Sequence, residues 1–275
     1  MNGLSGGFQH FRDNRCGRSF SIAAGDRINS AGAQVEEHLH FRGDYDALFP
    51  GLYQFCLLYT STDDWSDGSQ VWLLAKAYNL IFVIPEVQRS FYTDMEFGPA
   101  YFTYISQELP ALCKKLFPIS PKREDTYIMG LSMGGYGALK CALKYPEQYA
   151  GCAAFSPACI LQDLEKYLGD QMDYTELQAI WGMNLEKMEE NDVRVLAKEC
   201  EKKTLKPDIF VTCGTEDFIH DMSVKLKDFM KDVDIPFTYR EWPGSHEFYL
   251  WNKSLHLACE HFFTRVEPEN YCNII

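Results

Sequence analysis

Apolar residues in this chain fall into short runs separated by longer amphipathic stretches, and the alternation becomes regular near residue 52. Leu52-Tyr-Gln-Phe-Cys-Leu-Leu-Tyr59 is an apolar run of strand length. Ser69 to Tyr78 reads as a helix. Asn79-Leu-Ile-Phe-Val-Ile-Pro85 is β-branched and closed by proline, which predicts a buried strand. Ile105, Leu109, Leu112 and Leu116 recur at helical spacing. Pro110 falls inside that helix and predicts a kink. Thr126 to Gly130 is the next strand, and Gly134 to Tyr145 is a helix rich in Ala, Leu and Lys. Tyr149 to Phe155 is a strand of small residues, and Asp208 to Cys213 another buried strand. A helix from Ser223 to Val233, a late strand from Phe237 to Trp242 and a last helix from Lys253 to Phe263 complete the pattern.

Strands alternating with helices predict βαβ units, hence an α/β fold with a mostly parallel central sheet flanked by helices. Continuous apolar strands suit a sheet covered on both faces. Residues 160–205 break the alternation: Leu161 to Lys203 is charged and helix-prone, with no strand candidate. It predicts a helical insertion before the strand at Asp208, placed where such insertions cover a site. Residues 1–52 are atypical, with scattered Gly, Asn and charged residues and no sustained period, so no element is predicted there. Without an internal repeat or low-complexity linker, the expected organisation is a single domain over 1–275.

Composition narrows the function. A chain of 275 residues can bury a substantial single core, and 46% hydrophobic with 24% charged residues is ordinary for a soluble globular protein. A net charge of −13 repels phosphate backbones and anionic lipid surfaces, so neither nucleic acid nor membrane is expected as a partner. No apolar run approaches the roughly 20 residues of a membrane span. The ten cysteines invite a disulfide reading, but Met1 to Arg18 lacks the apolar stretch of a secretory signal. Cys56, Cys141, Cys152 and Cys213 sit inside apolar runs, where free Cys behaves as a small hydrophobe. No Cys-x-x-Cys or His-rich spacing suggests a metal site. These features predict reduced thiols and a cytoplasmic location.

The strongest chemical signal is Gly130-Leu-Ser-Met-Gly134, followed by Gly135-Tyr-Gly137. A Gly-x-Ser-x-Gly between a strand and a helix predicts a nucleophile elbow. The tight turn lifts the Ser132 hydroxyl above the sheet and aims the Met133 N–H, at a helix N-terminus, toward a developing oxyanion. A serine hydroxyl needs a base, and in this arrangement the acid and then the histidine follow the serine in the chain. Of His220, His246, His256 and His261, His246 lies in a turn just after the last strand, where the base belongs. His256 and His261 fall within the last helix, and His220 follows the acid loop. The acid is sought after the strand ending at Cys213: Asp217 is preferred, Glu216 comes next, and Asp221 lies a few residues on.

Arg89-Ser-Phe-Tyr-Thr-Asp94, Tyr104-Ile-Ser-Gln-Glu-Leu-Pro110 and the segment Arg123 to Lys140 around Ser132 resemble the putative esterase family of α/β-hydrolases. That family includes esterase D (S-formylglutathione hydrolase), bacterial tributyrin and acetyl esterases, feruloyl esterases and mycolyltransferases. The nearest likeness is to the tributyrin and acetyl esterases, whose acid and histidine loops resemble Cys213-Gly-Thr-Glu-Asp-Phe218 and Pro243-Gly-Ser-His246. The resemblance covers about residues 53–265. It implies an α/β-hydrolase fold, a Ser132–Asp217–His246 triad, and Phe91, Tyr92 and Asp94 near the substrate cleft. Two stretches depart from the family. Its Leu-Leu-His-Gly is here Leu57-Leu-Tyr-Thr60, so the second oxyanion donor would by position be the Ser61 N–H. The first fifty residues do not resemble the family's N-terminal strands, which leaves one edge of the sheet undefined.

The expected activity is hydrolysis of short acyl esters through an acyl-enzyme, with a small-molecule ester as partner and no metal or organic cofactor. Homo-oligomerisation is left open. Two other activities remain: a thioesterase for S-formylglutathione, or an esterase removing acetyl or feruloyl groups from plant polysaccharide. A hydrolase fold that binds ligand without turnover is the reading of another class.

Overall fold

The computed structural model describes residues 9–13, 18–24, 52–57, 65, 68–117, 119–169 and 173–265. Its strands are β1 (Gln9–Asp13), β2 (Arg18–Ala24), β3 (Leu52–Leu57), β4 (Leu80–Pro85), β5 (Thr126–Leu131), β6 (Gly151–Phe155), β7 (Asp208–Gly214) and β8 (Phe237–Trp242). They form one sheet in the order β1-β2-β4-β3-β5-β6-β7-β8. From β4 to β8 every pairing is parallel, while β1–β2 and β2–β4 are antiparallel. The segment for which the sequence predicts no element thus supplies the first two strands and the missing sheet edge.

Alternation within the strands explains the layers. Val83, Ile128, Cys152, Ala154, Ile209 and Val211 enter one buried cluster, and their neighbours Phe82, Ile84, Met129, Ala153, Phe155 and Phe210 enter the other. Side chains two apart share a face, so a strand apolar at every position must be covered on both sides. Helices α1 (Val71–Tyr78) and α9 (Phe248–Phe262) bury their apolar residues in the second cluster. The first cluster takes those of α3 (Leu109–Leu116), α4 (Met133–Lys144), α7 (Val193–Glu201) and α8 (His220–Met230).

Just before Pro110, where a kink is expected, the backbone takes a wide turn. Tyr104–Glu108 winds as a π-helix between the short α2 (Tyr101–Thr103) and α3. Proline has no N–H to give the carbonyl four residues back, and the wider turn absorbs the missing bond. The expected insertion lies between β6 and β7, with α5 (Leu164–Leu168), α6 (Tyr174–Trp181) and α7. Its last helix, α7, packs on α4 and is the crossover that covers the sheet. The excursion proper is therefore shorter than residues 160–205. The last helix begins at Phe248, before the expected Lys253, immediately after the histidine loop.

Candidate active site

Ser132 stands between the end of β5 and the start of α4, with φ 51° and ψ −121°. A side chain other than glycine rarely adopts a positive φ, at a cost of about 1–3 kcal/mol that the surroundings must impose. The main chain imposes it: Ser132 N–H donates to Phe155 O at 2.8 Å, and Ala158 N–H donates to Ser132 O at 3.1 Å. Gly135 lets α4 approach the loop beyond β6, since a Cβ there would lie 3.1 Å from Pro157 Cα. Ser132 is buried, and its Oγ lies 3.0 Å from His246 Nε2.

Asp217 follows β7 and His246 follows β8, so all three groups sit beyond carboxyl ends of parallel strands, where open α/β sheets form their sites. The two loops are tied together. Thr215 N–H donates to Trp242 O at 3.0 Å, Glu216 N–H donates to Gly244 O at 3.1 Å, and the Glu216 carboxylate accepts the Gly244 N–H. A Cβ on Gly214 would fall 2.0 Å from Gly244 O, so only glycine permits this approach.

Asp217 Oδ2 lies 2.8 Å from His246 Nδ1 and its Oδ1 lies 3.0 Å from the same atom. A carboxylate only accepts, so Nδ1 carries the hydrogen and, in the neutral ring, Nε2 is free to accept from the Ser132 hydroxyl. Burial works against ionisation of Asp217. Hydrogen bonds and charge from His246, with Ser156 and the Ile219 N–H, nevertheless hold its carboxyl below its ordinary value.

The imidazole is flanked by two rings, Phe218 at 4.7 Å and Trp251 at 4.8 Å between centroids. Trp251 N–H donates to Ser156 Oγ at 3.3 Å. Ser156, at φ 44° just beyond β6, therefore ties Trp251 and Asp217 together beneath the histidine. The sequence reading missed Ser156, Phe218 and Trp251. The signals available were a polar residue at the carboxyl end of a parallel strand and an aromatic directly after the acid.

The rival residues are engaged elsewhere. His220 Nε2 lies 2.9 Å from Glu241, His256 Nε2 2.7 Å from Gln70, and His261 Nε2 2.9 Å from Asp208. Glu216 holds Gly244, and Asp221 accepts from Tyr167. Of the proposed cleft residues, Phe91 packs on the rings of Tyr136 and Trp181. Tyr92 is fully buried against Gly137, where a Cβ would lie 2.4 Å from its ring. Asp94 accepts from the Thr103 N–H at 2.8 Å and hydroxyl at 2.6 Å. All three side chains thus contribute to packing or hydrogen bonding of the loop that lies on α4. Met133 begins α4, where a first-turn N–H has no carbonyl one turn back. Ser61 and the departure at Leu58–Thr60 lie outside the described residues.

Comparison with known proteins identifies the family and the fold. The family described as "Putative esterase" matches residues 78–262. An acetyl esterase of Caldicellulosiruptor saccharolyticus is 33% identical over 204 residues, spanning 72% of this chain and 77% of that protein. An S-formylglutathione hydrolase of Bos taurus is 32% identical over 156 residues, 54% of this chain and 51% of that one. Among solved structures, the Staphylococcus aureus fluorophosphonate-binding serine hydrolase FphF aligns with a TM-score of 0.76 at 23% identity. The alignment covers 94% of this chain and 99% of that one, which establishes the α/β-hydrolase fold.

Proposed function

The chain belongs to the Putative esterase family of serine hydrolases, and we propose that it hydrolyses short-chain acyl esters, acetyl esters foremost, through Ser132, His246 and Asp217. The observation that carries the reading is the unbroken line from Ser132 Oγ to His246 Nε2 at 3.0 Å and from His246 Nδ1 to Asp217 Oδ2 at 2.8 Å. His246 takes the hydroxyl proton as Ser132 Oγ attacks the ester carbonyl. The resulting oxyanion is received by the Met133 N–H, with the Ser61 N–H as the second donor by position. Collapse breaks the bond to the alcohol oxygen, which leaves with the proton from His246. Water, activated by the same imidazole, then attacks the acyl-enzyme and releases the acid. Asp217 fixes the ring's tautomer and stabilises the imidazolium in both steps.

Chain identity to an acetyl esterase supports a small acyl group. Likeness to S-formylglutathione hydrolases supports a second reading, in which the same triad cleaves a thioester. The seven described cysteines that are free and buried support a reducing, cytoplasmic setting. Among the described residues no helix is long and apolar enough to cross a membrane. The test is release of p-nitrophenol from acetate through octanoate esters, wild type beside Ser132→Ala, with S-formylglutathione in parallel. Serine-dependent release that falls with chain length supports the short-chain reading. Turnover of S-formylglutathione alone moves the assignment to the thioesterase. Activity retained by Ser132→Ala overturns both.

A further inference from the structure

Phe218 directly follows Asp217 and stays 47% exposed, although Asp217 and Ile219 on either side are buried. The turn that carries it is closed by Asp217 N–H to Gly214 O at 3.2 Å and His220 N–H to Asp217 O at 3.0 Å. Ile219 N–H adds a bond to Asp217 Oδ1 at 3.0 Å. The backbone is therefore fixed, and the phenyl ring is held partly in water where burial would stabilise the fold more. Its edge-on contact is with His246, at 64° between planes. Trp251, the other ring on the imidazole, is buried and engaged with Ser156. Phe218 is thus the solvent-facing member of the pair.

The chemistry indicates what meets that ring. The acyl carbon is fixed by its new bond to Ser132 Oγ. The alcohol oxygen must come within hydrogen-bond reach of His246 Nε2 to receive its proton. Phe218 packs on that same imidazole and is open to solvent. We infer that Phe218 is a specificity-determining wall for the leaving alcohol, favouring esters of flat, aromatic alcohols over small alkyl ones. The inference rests on the triad reading above. A ring-to-ring contact of this kind corresponds to a preference of about 2- to 10-fold.

The experiment compares kcat/KM for benzyl acetate and ethyl acetate, whose alcohols differ little in acidity, with ethyl butyrate as a control on the acyl side. The proteins are wild type, Phe218→Leu and Phe218→Tyr. Leucine keeps apolar contact with His246 but removes the ring, and tyrosine keeps the ring. The expected result is a benzyl-to-ethyl ratio lowered about 2- to 10-fold in Phe218→Leu and retained in Phe218→Tyr. The acetate-to-butyrate ratio stays constant throughout. If Phe218→Leu slows all three esters equally, the ring only positions His246 and the wall is overturned. If the acetate-to-butyrate ratio moves and the benzyl-to-ethyl ratio does not, the ring borders the acyl chain and the inference fails. Wild type that hydrolyses none of the esters removes the triad reading and the wall with it; active wild type with unmoved ratios removes the wall alone.

Discussion

Ser132 is held by buried main chain, whereas Asp217 and His246 are held by two loops at the surface that grip each other. Every residue of α4 from Met133 to Leu143 is buried, and the serine's own N–H and carbonyl are bonded to the β6 end and the loop after it. On the other side Thr215, Glu216, Pro243 and Ser245 are exposed. There the position of the acid and base comes from loop-to-loop hydrogen bonds and from one close approach at Gly214. The difference teaches where each half is vulnerable. The elbow stores strain that a dense core can impose, so relieving the strain should leave the fold better off. The loop pair stores little strain but depends on close contact, so a small added volume should part it.

The largest effect is expected from Ser132→Gly. Loss of the nucleophile should lower p-nitrophenyl acetate turnover by on the order of 10⁴-fold or more. Glycine accepts φ 51° without penalty, so urea unfolding should show a gain of about 1 kcal/mol after its greater chain entropy is counted. A variant that loses both activity and stability would mean that the elbow is not strained.

Gly214→Ala probes the other half. Its Cβ would meet Gly244 O at 2.0 Å, so the acid and histidine loops must separate. A displacement near 1 Å at His246 should lower kcat/KM by about 100-fold, with a stability loss of about 2 kcal/mol. Gly135→Ala, which meets Pro157 Cα at 3.1 Å, sharpens the comparison. There the neighbour must shift by only tenths of an ångström, and the expected loss in kcat/KM is less than about 10-fold. Equal losses in the two variants would contradict the claim that the loop pair is the more easily displaced half.

The same contrast governs what could be read from the sequence. Ser132 was legible because an elbow is local: strand, glycine, serine, glycine and helix are contiguous. His246 and Asp217 were legible through order along the chain and position after apolar strands. The strands β1 and β2 were not. Gln9–Asp13 is polar, and such edge strands take their identity from pairing, here with each other and with β4. The start of α9 was misplaced because Phe248, Tyr249 and Trp251 are weak helix formers, and their helix is set by packing on the sheet. Phe218 and Trp251 meet on His246, and Ser156 binds Trp251, from three separate parts of the chain; their positions beside the motifs are readable in sequence, but that meeting is not.

The smallest effect on turnover is expected behind the elbow, at Lys140. This residue lies on α4 and is almost wholly buried, its Nζ donating to Thr93 Oγ1 at 2.9 Å beneath the ring of Phe102. Burial pushes its pKa down from 10.5 to about 7, more than the nearby Asp94 and Glu190 carboxylates restore. Between those two values the unfolded chain holds a proton that the folded chain does not. Stability should therefore rise with pH from about 7 toward 10.5, and the cost of the buried cation should be greatest below about 7. Lys140→Met removes the cation while keeping the length of the side chain. At pH 6.5 the variant should be more stable than wild type by about 1–4 kcal/mol. That advantage should shrink as pH is raised, with kcat/KM on p-nitrophenyl acetate within about 3-fold of wild type, since Lys140 lies outside the triad. Paired urea titrations at pH 6.5 and 9.5 read the difference directly. An advantage independent of pH would mean that the lysine keeps an ordinary pKa and that its cost is steric. A stability loss at pH 6.5 would mean that the Phe102 and Tyr136 rings, with Thr93, compensate the buried charge in full, and that the core under the nucleophile depends on a cation.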